Sequence, residues 1–190
     1  AGRDVAAVGI QVCGGSRSDP SFFRGVQLFD VTDPTRPREV GRLDTGCCTR
    51  GLHEVDVEHR SDLGRTFVYA SVPTSGYPDV TTPSGVRDAQ GRGDFRLIDI
   101  TDPRRPVEVS DWGVVSDPVP GLPAAGQGCD PDGNYGHSVT PSDDGRLAFV
   151  AYWDSGFLIL DLTDRVLEQG VHQALTWERN GMRVPVAANL

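Results

Sequence analysis

The stretch LFDVTDPTRPREV (residues 28–40) returns as LIDITDPRRPVEV (97–109), and its first half returns once more as LILDLTD (158–164). Each copy embeds one aspartate, Asp30, Asp99 or Asp161, in an apolar run, and the first two then pass through Thr-Asp-Pro. A short apolar run bounded by turn residues reads as a strand. Asp33 and Asp102 suit the first position of a type I turn, with Pro34 and Pro103 holding φ for the second. The runs do not alternate polar with apolar, so they are expected to be covered on both faces.

Working outward, each copy is preceded by another strand-like run: DVAAVGIQV (4–12), RTFVYASV (65–72) and RLAFVAYW (146–153). Each of these follows a Gly-Arg pair, Gly2-Arg3, Gly64-Arg65 and Gly145-Arg146. Two copies carry one more strand upstream, LHEVDVEH (52–59) and GHSVTPS (136–142). In the former, His53, Val55, Val57 and His59 share one face and Glu54, Asp56 and Glu58 the other, as a period of two requires. The third copy has Arg165 where proline is expected; VLEQGVHQALTW after it reads as a short helical turn or, preferably, a degenerate outer strand. The unit is strand, turn, strand, loop, strand, turn, strand: a four-stranded antiparallel meander whose repetition predicts an all-β propeller.

About three blades are present: a partial one over about 1–46, a second over about 47–115 with an insertion at 73–94, and a third over about 116–190 with an insertion at 116–134. Closed propellers need about four blades or more. Residues 1–190 are therefore expected to be a piece of a longer propeller, its open blade edges covered by the remainder or by another copy. The opening on Ala1 likewise reads as a processed, trimmed or partial chain.

The bulk composition agrees with a loop-rich β protein: 37% hydrophobic residues, 23 glycines and 14 prolines in 190 residues. A formal net charge of −9 excludes an electrostatic footprint for nucleic acid. No apolar run is long enough to span a membrane as a helix. Four cysteines, Cys13, Cys47, Cys48 and Cys129, none in a CxxC spacing, read as disulfides of a secreted or cell-envelope protein. Adjacent cysteines bond each other poorly, so Cys13 with one of Cys47 and Cys48, and the other with Cys129, is one reading. A Cys/His metal cluster on the same rim is the rival.

With these residues in view, the chain resembles the LVIVD-repeat family. GVQLFDVTDPTRPREV (25–40), DFRLIDITDPRRPVEV (94–109) and HSVTPSDDGRLAFVAYWDSGFLILDLTD (137–164) carry the resemblance. It implies a β-propeller, often exported, and assigns no chemistry. The function it leaves open is that of an extracellular or cell-envelope binding or scaffold module, taking a protein or small-molecule ligand at the loop rim.

Four constellations bear on other readings. His53 and His137 open the first strand of their repeats and would face a common space, which suits a divalent metal and a metal-dependent oxidase or hydrolase. The plainer alternative is a recurring structural histidine. Asp30, Asp99 and Asp161 read as turn-fixing carboxylates rather than a calcium ring. Asp130, Asp132 and Asn134 in CDPDGNYG begin like a calcium loop and would suit a calcium-stabilised adhesion module. However, Tyr135 stands where an EF-hand needs glycine. His53-Glu54 with His59 lacks the spacing of HExxH, and the local alternation is that of a strand.

Overall fold

The computed structural model describes residues 3–12, 19, 21–46, 49–73, 93–114, 135–153 and 155–163, together with the backbone of 81–82, 85–86 and 174–175. Its elements in chain order are β1 (Val5–Ile10), β2 (Gly25–Asp30), β3 (Arg38–Asp44), β4 (Glu54–Arg60), β5 (Arg65–Ser71), β6 (Thr81–Thr82), β7 (Gly85–Val86), β8 (Phe95–Asp99), β9 (Val107–Trp112), β10 (Gly136–Pro141), β11 (Leu147–Tyr152), β12 (Gly156–Asp161) and β13 (Ala174–Leu175). No helix occurs among the described residues, and none is long and apolar enough to cross a membrane.

Three antiparallel sheets follow one another along the chain, in the orders β1-β2-β3, β4-β5-β8-β9 and β10-β11-β12-β13. They are the meanders expected from the repeat, and the first contains three strands. The short β6-β7 hairpin falls inside the first insertion. In the third sheet, Ala174 and Leu175 pair with Leu160 and Ile159, so the degenerate segment supplies the fourth strand.

Register explains why the repeats look alike. Asp30, Asp99 and Asp161 each sit at the end of the third strand of the repeat unit, opposite Val5, Phe67 and Leu147. The Asp33 and Asp102 carbonyls accept from the Arg36 and Arg105 N–H groups, both at 2.9 Å, closing the two Asp-Pro turns. The strand leaving each turn carries a bulge at the same place, Val40 being skipped opposite Leu28-Phe29 and Val109 opposite Leu97-Ile98. Bulges increase local twist, so their recurrence gives both outer strands the same splay.

The sheets stack face to face, and the middle one is covered on both sides. One core joins the middle and third sheets through Phe67, Tyr69, Phe95, Leu97 and Trp112 on one side and Val139, Val150, Leu158 and Leu160 on the other. A second core joins the first and middle sheets through Val26 and Leu28 against Val68, Ala70 and Ile98. Phe95 through Ile98 in β8 are therefore all buried, as a non-alternating apolar strand requires. The outer face of the first sheet is uncovered by comparison, with Val8 41% exposed.

Polar rivets fix the interface between the middle and third sheets. At one end the Tyr69 hydroxyl donates to the Gly145 carbonyl at 2.5 Å, and the buried Arg60 guanidinium donates to the Gly145 and Leu162 carbonyls. Gly145 has φ of +67°, and a Cβ there would lie 2.7 Å from Arg60 Cδ and 2.8 Å from the Tyr69 oxygen, so any side chain at this turn would be strained. At the other end the Ser71 hydroxyl donates to the Gly136 carbonyl, and the Tyr152 hydroxyl donates to Asp94 Oδ2 at 3.1 Å. The middle and third sheets are thereby held in register at both ends.

Candidate functional site

The sheets have two chemically different ends. At one, the second strand of each repeat begins and the Asp-Pro turns lie. At the other, β4 and β10 begin and the second strands finish. Pro73 and Gly93, at the two ends of the first insertion, and Val114 and Tyr135, which flank the second, all belong to this second end.

Here β10 packs against β4 and β5, so the residues opening the two first strands meet. His53 is fixed by its N–H donating to the Ser71 carbonyl at 2.8 Å. His137 stands at a register shift between Gly136 and Ser138. Their Nε2 atoms lie 3.2 Å apart, with the rings edge-to-face at 4.6 Å between centroids and 81° between planes. His53 Nδ1 faces Gln11 Oε1 at 3.2 Å, and His137 Nδ1 faces Glu54 Oε1 at 3.7 Å. Suitable ligand atoms of His53, Glu54 and His137 all lie within 4.8 Å of one another.

One wall of the cluster is aromatic. The Trp153 ring stacks on His137 at 5.3 Å and on Tyr135 at 5.4 Å between centroids, and it is 47% exposed. The Arg50 guanidinium lies 5.7 Å over the Tyr135 ring. Partial burial pushes the His53 imidazole below its ordinary 6.5, and the neighbouring His137 adds to this. Glu54 opposes the shift and Arg50 reinforces it. A lowered His53 is neutral at neutral pH and offers a lone pair rather than a charge.

The three recurring carboxylates lie at the opposite end and are occupied by their own turns. Asp30, Asp99 and Asp161 each accept at Oδ1 from the N–H two residues on, of Thr32 at 3.0 Å, Thr101 at 2.8 Å and Thr163 at 2.9 Å. Arg3 and Arg38 approach Asp30 at 3.8 and 3.9 Å, and Arg65 approaches Asp99 at 3.3 Å. The Thr32 hydrogen bonds hold Asp30 below its ordinary value. A cavity of about 650 Å³ opens beside the Asp102-Pro103 turn, between the first and middle sheets.

The sequence reading paired His53 with His137, and the two meet. Alternation places Glu54 on the face opposite His53, and the sequence gives no site role to Gln11, Arg50, Tyr135 or Trp153. The available signal was position: Trp153 ends the same run as Val72, at the end of the repeat where both insertions attach. Cys13, Cys47, Cys48 and Cys129, and the Asp130, Asp132 and Asn134 triplet, lie outside the described residues. Compared with known proteins, the chain matches no family model, and no curated protein aligns with it significantly.

Proposed function

We propose that the chain is a segment of an LVIVD-type propeller serving as an exported binding or scaffold module, with its ligand received at the His53–His137 end. The observation that carries this reading is convergence at that end. Side chains from Gln11, the 50–54 segment, the 135–137 segment and Trp153 come together where the residues flanking both insertions lie. Long insertions on a rigid repeat scaffold are the usual carriers of binding. A Trp half in solvent, stacked on a tyrosine that an arginine overlies, offers a stacking surface with a polar rim.

The test is a ligand screen of small molecules and peptides, read by amide chemical-shift mapping. Shifts confined to residues 50–54, 135–137 and 153, and lost in Trp153→Ala with the thermal midpoint unchanged, are expected. Shifts centred instead on the Asp-Pro turns would overturn the assignment. The exported origin is tested separately by intact mass without reductant, where paired cysteines are expected and four alkylatable thiols would refute it.

A further inference from the structure

Within the binding end just proposed, and resting on its being the working end, the geometry points to a divalent transition-metal site. Its direct ligands are the Nε2 atoms of His53 and His137, with the Glu54 carboxylate as the neighbouring counter-charge.

The argument begins from the outer nitrogens. A metal-binding imidazole commonly donates its other N–H to a carboxylate or carbonyl oxygen, which fixes the tautomer and aims the lone pair. His53 has that arrangement, with Gln11 Oε1 3.2 Å from its Nδ1, and at His137 the Glu54 carboxylate stands on the Nδ1 side at 3.7 Å, a charge contact that favours the same tautomer. With each proton on Nδ1, both Nε2 atoms present lone pairs, and they present them to each other at 3.2 Å. Two lone pairs at that distance repel unless something positive lies between or beside them.

The spacing fits an ion. Two imidazole nitrogens bound at about 2.0–2.1 Å to one tetrahedral zinc stand about 3.3 Å apart. The rings are nearly perpendicular rather than stacked, so both lone pairs can aim at one point beside the pair. Glu54, half exposed, has a carboxylate oxygen close enough to supply the counter-charge by rotation of its side chain.

The donor set selects the metal class. Two imidazole ligands suit Zn²⁺, Cu²⁺ or Ni²⁺, whereas Ca²⁺ and Mg²⁺ prefer oxygen ligands throughout. Two protein ligands leave coordination positions to solvent. The exposed Trp153 ring, stacked on His137, then forms a wall beside those positions. The site is therefore open, with room for water or for a donor atom of a second ligand, unlike a closed structural zinc site.

The competing arrangement is a hydrogen bond between the rings, with one tautomer reversed and no ion. Imidazole ¹H–¹⁵N NMR of the full chain, with its thiols alkylated so that no cysteine competes, separates the two during a Zn²⁺ titration. The expected result is saturation at one equivalent, with the His53 and His137 Nε2 resonances moving together. His59, whose Nδ1 faces the Thr66 hydroxyl at 3.0 Å, is the stationary control. His53→Ala and His137→Ala should each weaken zinc binding by about a hundredfold or more, and Glu54→Gln by about tenfold, in the range for altered ligands and their supporting groups.

Zinc that leaves both Nε2 resonances in place, or binds equally well to the double alanine variant, would overturn the proposal. Trp153→Ala keeps the outcomes apart, because it should abolish stacking of an organic ligand while leaving zinc bound. Loss of the zinc response with intact ligand mapping would refute only the metal. A zinc response without any ligand mapping would refute only the broader binding module.

Discussion

The two ends of these blades carry repeated residues of opposite behaviour. At one end Asp30, Asp99 and Asp161 repeat one local hydrogen bond, each to the N–H two residues on, and none depends on a neighbouring sheet to do so. At the other, His53 and His137 occupy matching places in their repeats, yet their principal contact is with each other across a sheet boundary. Repetition therefore has two meanings in this chain. A local device recurs because every unit must turn, and it stays one device per unit. A residue at the start of a first strand recurs too, but packing brings its copies together and makes from them something that no single unit contains.

The comparison can be sharpened by substitution. The largest effect is expected at the interface that places the histidines. Leu97→Ala, at a fully buried side chain between the middle and third sheets, should cost about 2–5 kcal/mol in a denaturant titration. It should also separate the two rings. Arg60→Met removes the guanidinium that bonds the Gly145 and Leu162 carbonyls and should cost about 2–4 kcal/mol, in the range for breaking a buried charged contact. Unchanged stability in either variant would mean that the interface is not what holds the third sheet.

A smaller effect belongs to the repeated carboxylates. Asp99→Ala loses one N–H acceptor at a turn and should cost about 1 kcal/mol, with ligand binding at the opposite end unchanged. Loss of binding in this variant would erase the distinction between the ends. His53→Ala should do the reverse, leaving stability within about 0.5 kcal/mol while removing binding, as expected for an accessible side chain outside the core.

The pH dependence follows from the carboxylates that are held low. Asp62 is depressed by its hydrogen bonds from Arg60 and by the Arg60 and Arg146 charges. Asp30 is depressed by the Thr32 hydrogen bonds, and Asp144 by those from Ser142 and Arg146. A folded value below the unfolded 3.8 means that the unfolded chain takes up protons first on acidification. The stabilisation is complete above that value and is lost as pH falls beneath it. Asp62→Asn should flatten the acid limb of a thermal-midpoint profile, and an unaltered limb would contradict the Arg60–Asp62 account.

Much of this was legible in the sequence for local reasons. Asp33-Pro34 and Asp102-Pro103 announce turns because aspartate and proline act on their own backbone, and both turns close as expected. Apolar runs such as LIDI announce two-sided burial, and β8 has it because sheets lie on both faces. The same inference is weaker for β2, where Gln27 and Phe29 face the uncovered side and are only half buried. The recurring bulges were not legible, because nothing in Val40 or Val109 marks an extra residue in the strand.

The candidate site was half legible for the same physical reason. Matching positions put His53 and His137 at strand starts, but their approach depends on how β10 packs against β4, which is a property of two sheets. Glu54 illustrates the limit. Alternation assigns it the face opposite Val55, yet at the first residue of β4 its carboxylate reaches His137 from the neighbouring sheet. Buried Arg24, Arg60 and Arg96 were equally silent, since arginine in a sequence ordinarily announces surface.

The central claim is that sheet packing brings two matching histidines into contact. The most direct test is a nuclear Overhauser measurement between their ring protons in the metal-free chain. With centroids 4.6 Å apart, His53 and His137 should show a cross-peak, accompanied by one between His137 and Trp153. A folded chain lacking the His53–His137 cross-peak would contradict the account.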